Sequence, residues 1–201
     1  MSSSTVATSF RFIIIPEVKS MKKGLLLLAD GFEIVEALAS ADIIRRSKVL
    51  GCDLVSISKK KEVVSSMGTA VKADALLEEV RPEDYSFLIL PGGKRGVENL
   101  KASEEVLNLV RDFYKEGKGV YAICAAPSIL GELGILEGKD YTCFPGFQKG
   151  NGHYENAPFV EDGSIITGHS MAYSIPFAEA IVKKEGGEEA LEATFPGTRG
   201  L

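Results

Sequence analysis

No stretch of this 201-residue chain stays apolar for anything near the roughly 20 residues that a membrane-crossing helix requires. The longest candidate, Gly24 to Ala29, has the length of a strand, so no membrane partner is expected. Cysteine is scarce: Cys52, Cys124 and Cys143 form an odd set with no close pair. That excludes a disulfide framework and a cysteine-based zinc site, and it fits a reducing, cytoplasmic setting. Histidine is scarcer still. His153 and His169 alone cannot build a histidine-rich metal centre, and neither a metal nor a cofactor is expected. Excess positive charge is absent too, with 23 basic against 28 acidic residues and a net charge of −5. The charges are scattered, and without a basic stripe a nucleic-acid partner is not expected.

What is present describes one ordinary globular unit. Hydrophobic content is 45% and charged content 25%, and the length suits one buried core without room for two. No internal repeat or linker divides it. The first 20 residues stand apart: Met1 to Ser9 is rich in Ser and Thr, lacks acidic residues, and is followed by Arg11. A single arginine is thin support for a transit peptide. Met21-Lys22-Lys23 reads as a natural beginning, so residues 1–20 are expected to be a tag, a mis-called start or a disordered arm, with Phe12 to Ile15 outside the core. The domain is expected over 21–186, and 187–201 as a C-terminal tail ordered only in part.

Along the domain, strand-sized apolar runs alternate with helical periodicity. Gly24 to Ala29 is a continuous apolar run, the mark of a strand buried on both faces. A helix follows from Glu33 to about Ser47, with Gly51 read as its stop. Asp53 to Ser58 reads as the second strand, and residues 59–73 as a hairpin around Gly68. Phe87 to Leu90 is a buried strand ending at Pro91-Gly92-Gly93. Ser103 is the predicted N-cap of a helix carrying Val106, Leu107, Val110, Phe113 and Tyr114. Gly119 to Ile123 is a strand, Ala125 to Leu133 a helix, and Tyr141 to Phe144 and Ser164 to Thr167 are further strands. Ser174-Ile175-Pro176 opens the last helix, with proline in the first turn. Such alternation predicts a single flavodoxin-like α/β domain: a parallel central sheet with helices on both faces.

The sharpest chemical signal is Ala122-Ile123-Cys124-Ala125-Ala126-Pro127. A buried strand delivers Cys124 to a crowded strand-to-helix turn, and the flanking positions that must be small are Ala122 and Ala126. A cysteine at a helix start is expected to have its thiolate stabilised by unpaired amides, which lowers its pKa. It lies at the carboxyl end of a strand, where open parallel sheets carry their functional crevice. Free cysteines are more often small buried hydrophobes, and Cys52 and Cys143 are read that way. The first strand ends in Asp30-Gly31-Phe32-Glu33-Ile34-Val35-Glu36. Glu33 is accounted for by favourable charge at a helix start. Glu36, framed by Val35 and Ala37, is a candidate proton donor whose burial would raise its pKa. Gly92 and Gly93 let backbone amides approach a reacting oxygen, though paired glycines are also ordinary turn formers.

Together these three strand ends resemble the ThiJ/PfpI superfamily, the group that includes the parkinsonism-associated protein deglycase and shares the class I glutamine amidotransferase-like fold. The likeness runs from about Lys22 to Lys184. It implies a flavodoxin-like sandwich, usually a homodimer. By the same resemblance Cys124 is the reactive nucleophile, Glu36 the acid bonded to it, and Gly92, Gly93 and Ala125 supply backbone amides. Two positions depart from the family pattern. The deglycase branch has a histidine where Phe144 stands, so proton transfer would fall to Glu36 or to water. Many relatives carry an arginine about where His169 stands. His169, like Glu33, is therefore a possible pocket residue, or else a structural or exposed one; His153 is read as a loop residue.

Three functions follow from the resemblance. The first is cofactor-independent glyoxalase or deglycase chemistry on reactive dicarbonyls or their glycated adducts, of hydro-lyase or hydrolase type, weakened or altered by Phe144. The second is a redox-sensing or chaperone-like protein of oxidative-stress protection that uses oxidation of Cys124 without turnover. The third, a cysteine peptidase or amidotransferase-like domain, needs a histidine that Ala125 does not provide.

Overall fold

The computed structural model describes residues 21–200, so the expectations for residues 1–20 lie outside the described residues. In chain order the elements are β1 (Lys22–Leu28), α1 (Ile34–Arg46), β2 (Leu50–Ser56), β3 (Glu62–Val64), β4 (Ala70–Lys72) and β5 (Ala75–Leu76). Then come β6 (Phe87–Leu90), α2 (Lys94–Lys101), α3 (Glu104–Lys115), β7 (Gly119–Ile123) and α4 (Pro127–Glu132). The last third holds β8 (Asp140–Tyr141), β9 (His153–Tyr154), β10 (Phe159–Asp162), β11 (Ile165–Gly168), α5 (Ser174–Gly186), α6 (Glu188–Glu192) and α7 (Phe195–Arg199).

Seven strands form one sheet in the order β10-β11-β7-β6-β1-β2-β5, parallel except for the antiparallel edge strand β10. Successive residues of a strand face opposite sides, so the apolar runs split between two cores. Leu25, Leu27, Leu88 and Leu90 pack with Val97, Val106, Val110, Phe113 and Ile129 of α2, α3 and α4. Leu26, Leu28, Phe87 and Ile89 pack with Ala37, Ile44, Phe177 and Ile181 of α1 and α5. Each face is sealed by helices. The chain leaves β1 toward β2 on one side and later fills β6, β7 and β11 on the other. That reversal opens a crevice at the carboxyl ends of β1 and β6.

Several boundaries differ from the sequence reading. Helix α1 is closed by Ser47, whose hydroxyl donates to the Ile44 carbonyl at 2.7 Å, and the chain turns through Lys48 at φ 61°. Gly51 therefore belongs to β2, where a Cβ would press on the Lys23 side chain. Helix α2 was not foreseen; its buried side is only Gly96, Val97 and Leu100. The strand over Tyr141 to Phe144 shrinks to β8, and α4 starts at Pro127. The hairpin around Gly68 is present as β3 and β4. Beyond Gly186 the chain forms α6 and α7, fastened by buried Ala190 and Thr194. Among the described residues, no helix is long and apolar enough to cross a membrane.

Candidate active site

Three neighbouring strands deliver the site. Strand β7 ends at Ile123, and Cys124 takes φ 64°, a left-handed conformation that a residue with a Cβ adopts only against steric resistance. Its surroundings enforce this. The Cys124 amide donates to the Gly168 carbonyl at the end of β11 (2.8 Å), and the Cys124 carbonyl accepts from the Phe144 amide (2.8 Å). With both backbone groups pinned, the side chain is thrust into the crevice. Cys124 is the one partly exposed cysteine; Cys52 and Cys143 are buried. Burial pushes their thiols up to about 12 and about 11 and also keeps reactants away from them.

From β1 comes Glu36, on the first turn of α1 and fully buried. Its Oε2 accepts from the Gly92 amide at 2.7 Å. Its Oε1 is sealed from solvent and finds no nitrogen or oxygen partner; the Cys124 thiol is the carboxyl's other neighbour. Glu33 serves as the N-cap of α1, where its carboxylate accepts from the Glu36 amide at 2.8 Å. That is the structural role, satisfied.

The end of β6 is the wedge between acid and thiol. A Cβ on Gly92 would lie 2.7 Å from the Cys124 Cβ, 2.7 Å from Glu36 Oε2 and 3.0 Å from the Ile123 carbonyl. Only glycine fits. Gly93, at φ 86°, lies against the Gly31 carbonyl and the Glu33 amide, so a side chain there would push the ends of β1 and β6 apart.

The electrostatics correct one expectation. Burial raises Glu36 to about 7; the Cys124 thiol and Gly92 amide pull it back, and Glu33 adds to the rise. The Cys124 thiol is also pushed up, first by burial, then by the charge and hydrogen bonding of Glu36, while the Ala125 and Gly93 amides oppose this. The sequence implied a thiolate favoured by a helix mouth. In the fold α4 begins three residues later at Pro127, which has no N–H to offer, and a carboxylate rather than a cation faces the sulfur. Two groups thus share one proton near neutrality. While Glu36 is ionised the thiol keeps it; the sulfur gives it up by passing it to Glu36.

Cys124, Glu36, Gly92, Gly93 and Ala125 are therefore brought together. His169 follows Gly168 directly, with one ring nitrogen buried and its ring edge-on to Tyr173 (5.8 Å between centroids). Phe144 is exposed and meets Phe147 edge-on. His153 lies apart on β9, exposed and 3.3 Å from Asp140. Sequence reasoning missed Gly168 and the Phe144 amide, because both act through the backbone. Among the described residues, no group of three His, Cys, Asp or Glu side chains is placed to hold a metal ion.

Comparison with known proteins finds relatives of this chain. The sequence profile of the DJ-1/PfpI family matches residues 22–184. The chain is 36% identical over 169 residues to protein DJ-1 homolog B of Arabidopsis thaliana, covering 82% of this chain and 38% of that one. It is 31% identical over 153 residues to a deglycase of Pyrococcus abyssi, covering 76% and 89%. The chain thus spans well under half of the Arabidopsis protein and most of the archaeal one. A cysteine-to-alanine mutant of a DJ-1 superfamily protein from Salmonella typhimurium superposes with a TM-score of 0.82 at 31% identity, covering 88% of this chain and 97% of that one.

Proposed function

The chain belongs to the DJ-1/PfpI family, and from that premise we propose cofactor-independent glyoxalase or deglycase chemistry at Cys124, acting on reactive dicarbonyls or their glycated adducts. One observation carries the proposal: a cysteine forced into a left-handed turn against a buried carboxyl that titrates at about 7. A base poised near neutrality is suited to taking a proton at the moment of attack. Glu36 receives the thiol proton as the sulfur bonds to the aldehyde carbon of methylglyoxal, giving a hemithioacetal. The Gly93 and Ala125 amides steady the charge that develops. Internal proton transfer converts the adduct to a thioester, and water releases lactate. No cofactor enters. The name of the archaeal deglycase supports the substrate class. Purified protein should form lactate from methylglyoxal, and Cys124→Ala should not; equal rates would falsify this reading.

A second reading has its own support. Cys124 alone among the three cysteines is open to an oxidant, and a protonated Glu36 can donate to a sulfinate oxygen. Phe144, which cannot move protons, favours this protective, redox-responsive role over turnover. Mass spectrometry after mild peroxide should place oxidation on Cys124 alone; even oxidation of all three cysteines would count against it.

We also propose a homodimer. Val35 on the first turn of α1, Met171 in the turn before α5 and Ile175 on its first turn are exposed at the same end of two helices that pack side by side. Light scattering on purified protein should give twice the chain mass, and Val35→Asp with Ile175→Asp should halve it.

A further inference from the structure

A cavity of about 610 Å³ opens between α3 and the chain that links β5 to β6, and it shares no lining residue with the Cys124 site. Residues 77–84 of that link make two short 3₁₀ turns. The floor is apolar: Leu77 and Leu109 are only 7% and 8% exposed, and Val80 and Pro82 continue the strip. A smaller cavity of about 160 Å³ shares Pro82, Leu109 and Asp112 with the first and carries the groove on to Phe113 and Lys118. Together they follow α3 from Glu104 to Glu116, about 18 Å at the rise of an α-helix. An extended peptide advances about 3.3 Å per residue, so the groove has the length of about five residues.

Every charged side chain lining the larger cavity is acidic: Glu78, Glu104, Glu105 and Asp112. Glu104 and Glu105 stand on the first turn of α3, where the positive end of the helix favours them, and Glu104 also takes Arg111 at 3.0 Å. Asp112 has no such account. It sits in the last turn, against the negative end of the same helix. Among the described residues no salt bridge reaches Asp112, Glu78 or Glu105, because neighbouring cations are engaged elsewhere: Lys61 with Glu79, Arg111 with Glu104 and Lys118 with Glu116. The apolar strip is thus bracketed by unpaired carboxylates, with Glu105 and Asp112 about 10 Å apart along the helix.

We propose that this groove docks a short extended segment of a partner protein, with basic residues at positions i and i+4 and an apolar residue at i+2. Alternate residues of an extended chain face the same way, so all three meet the groove, with the basic pair about 13 Å apart. The flexible stems of Lys or Arg take up the difference from the spacing of the carboxylates. One cation meets Glu78 and Glu105, the other meets Asp112, and the apolar side chain covers Leu77 and Leu109. Charge complementarity selects this occupant. An acidic or neutral segment would desolvate the carboxylates without pairing them, and a small cation would leave the apolar floor bare. The surface is independent of the chemistry at Cys124 and stands or falls without it.

The test titrates the full chain with the peptide Arg-Ser-Leu-Ser-Arg, capped at both ends, and reads binding by calorimetry. Saturable one-to-one binding is expected. Glu105→Gln with Asp112→Asn should weaken it by about tenfold or more while alkylation of Cys124 by iodoacetamide stays unchanged, which guards against a folding failure. The peptide Arg-Ser-Ser-Ser-Arg, which lacks the apolar anchor, should also lose about tenfold. The proposal is overturned if the first peptide does not bind, or if the two carboxylate substitutions leave its affinity unchanged. Equal binding of Arg-Ser-Ser-Ser-Arg would show general attraction to an acidic surface, and equal binding of spermidine would show a site for small amines; either overturns it. Binding that appears only after Arg11→Ser and Phe12→Ser would assign the groove to this chain's own first residues and overturn it as well.

Discussion

At the amino end of the central sheet the polar groups are satisfied, whereas at the carboxyl end the molecule tolerates discord. Tyr121 donates to Glu185 at 2.5 Å, Glu185 also takes Lys22 at 2.9 Å, and Tyr85 donates to Asp53, which pairs with Lys23. The same strands emerge at their other end into a left-handed cysteine, a carboxyl that resists ionisation and two polar atoms without partners. A well-paired end supplies the stability that lets the other hold chemically useful strain.

The contrast can be broken first through pH. Because Glu36 is held at about 7 against an ordinary 4.5, the fold retains a proton that the unfolded chain has released between those values. Stability should be fully present below pH 4.5 and fall as pH rises through 7, by about 3 kcal/mol in all. Urea midpoints taken across that window should flatten in Glu36→Gln and keep their slope in Tyr121→Phe. An unchanged slope in Glu36→Gln would place the titrating strain elsewhere.

Next in size is the wedge. Gly92→Ala should cost about 2 kcal/mol by overpacking and should slow Cys124 alkylation as thiol and carboxyl are forced apart. A variant of wild-type stability and reactivity would mean that the three strand ends yield more easily than their spacing implies. The smallest effect tests the turn itself. Cys124→Gly should be more stable than Cys124→Ala by about 1 kcal/mol, since glycine accepts a φ of 64° without steric resistance. Equal melting temperatures for the two would remove backbone strain from the account.

The parts of this molecule legible in the sequence are those where side-chain type and position coincide. Strands β1, β6 and β7 are continuous apolar runs because both faces are covered, and Ser103 caps α3 with its hydroxyl as its position implies. Cys124, Glu36 and Gly92 stand out because each follows such a run. Helix α2 was illegible, since Lys94, Arg95 and Gly96 open it with no apolar stripe until Val97. Gly51 misled because a serine side chain had already closed α1. The direction of the thiol's titration was hidden for another reason: it depends on how much water the fold removes and on which charge faces the sulfur, and neither is written in the local motif.

The tether between Cys124 and Gly168 also sets a time of birth for the turn at the cysteine. During synthesis β7 leaves the ribosome before β11, so Cys124 emerges ahead of the carbonyl that takes its amide proton. The turn that aims the cysteine into the crevice is complete only when the late strand docks.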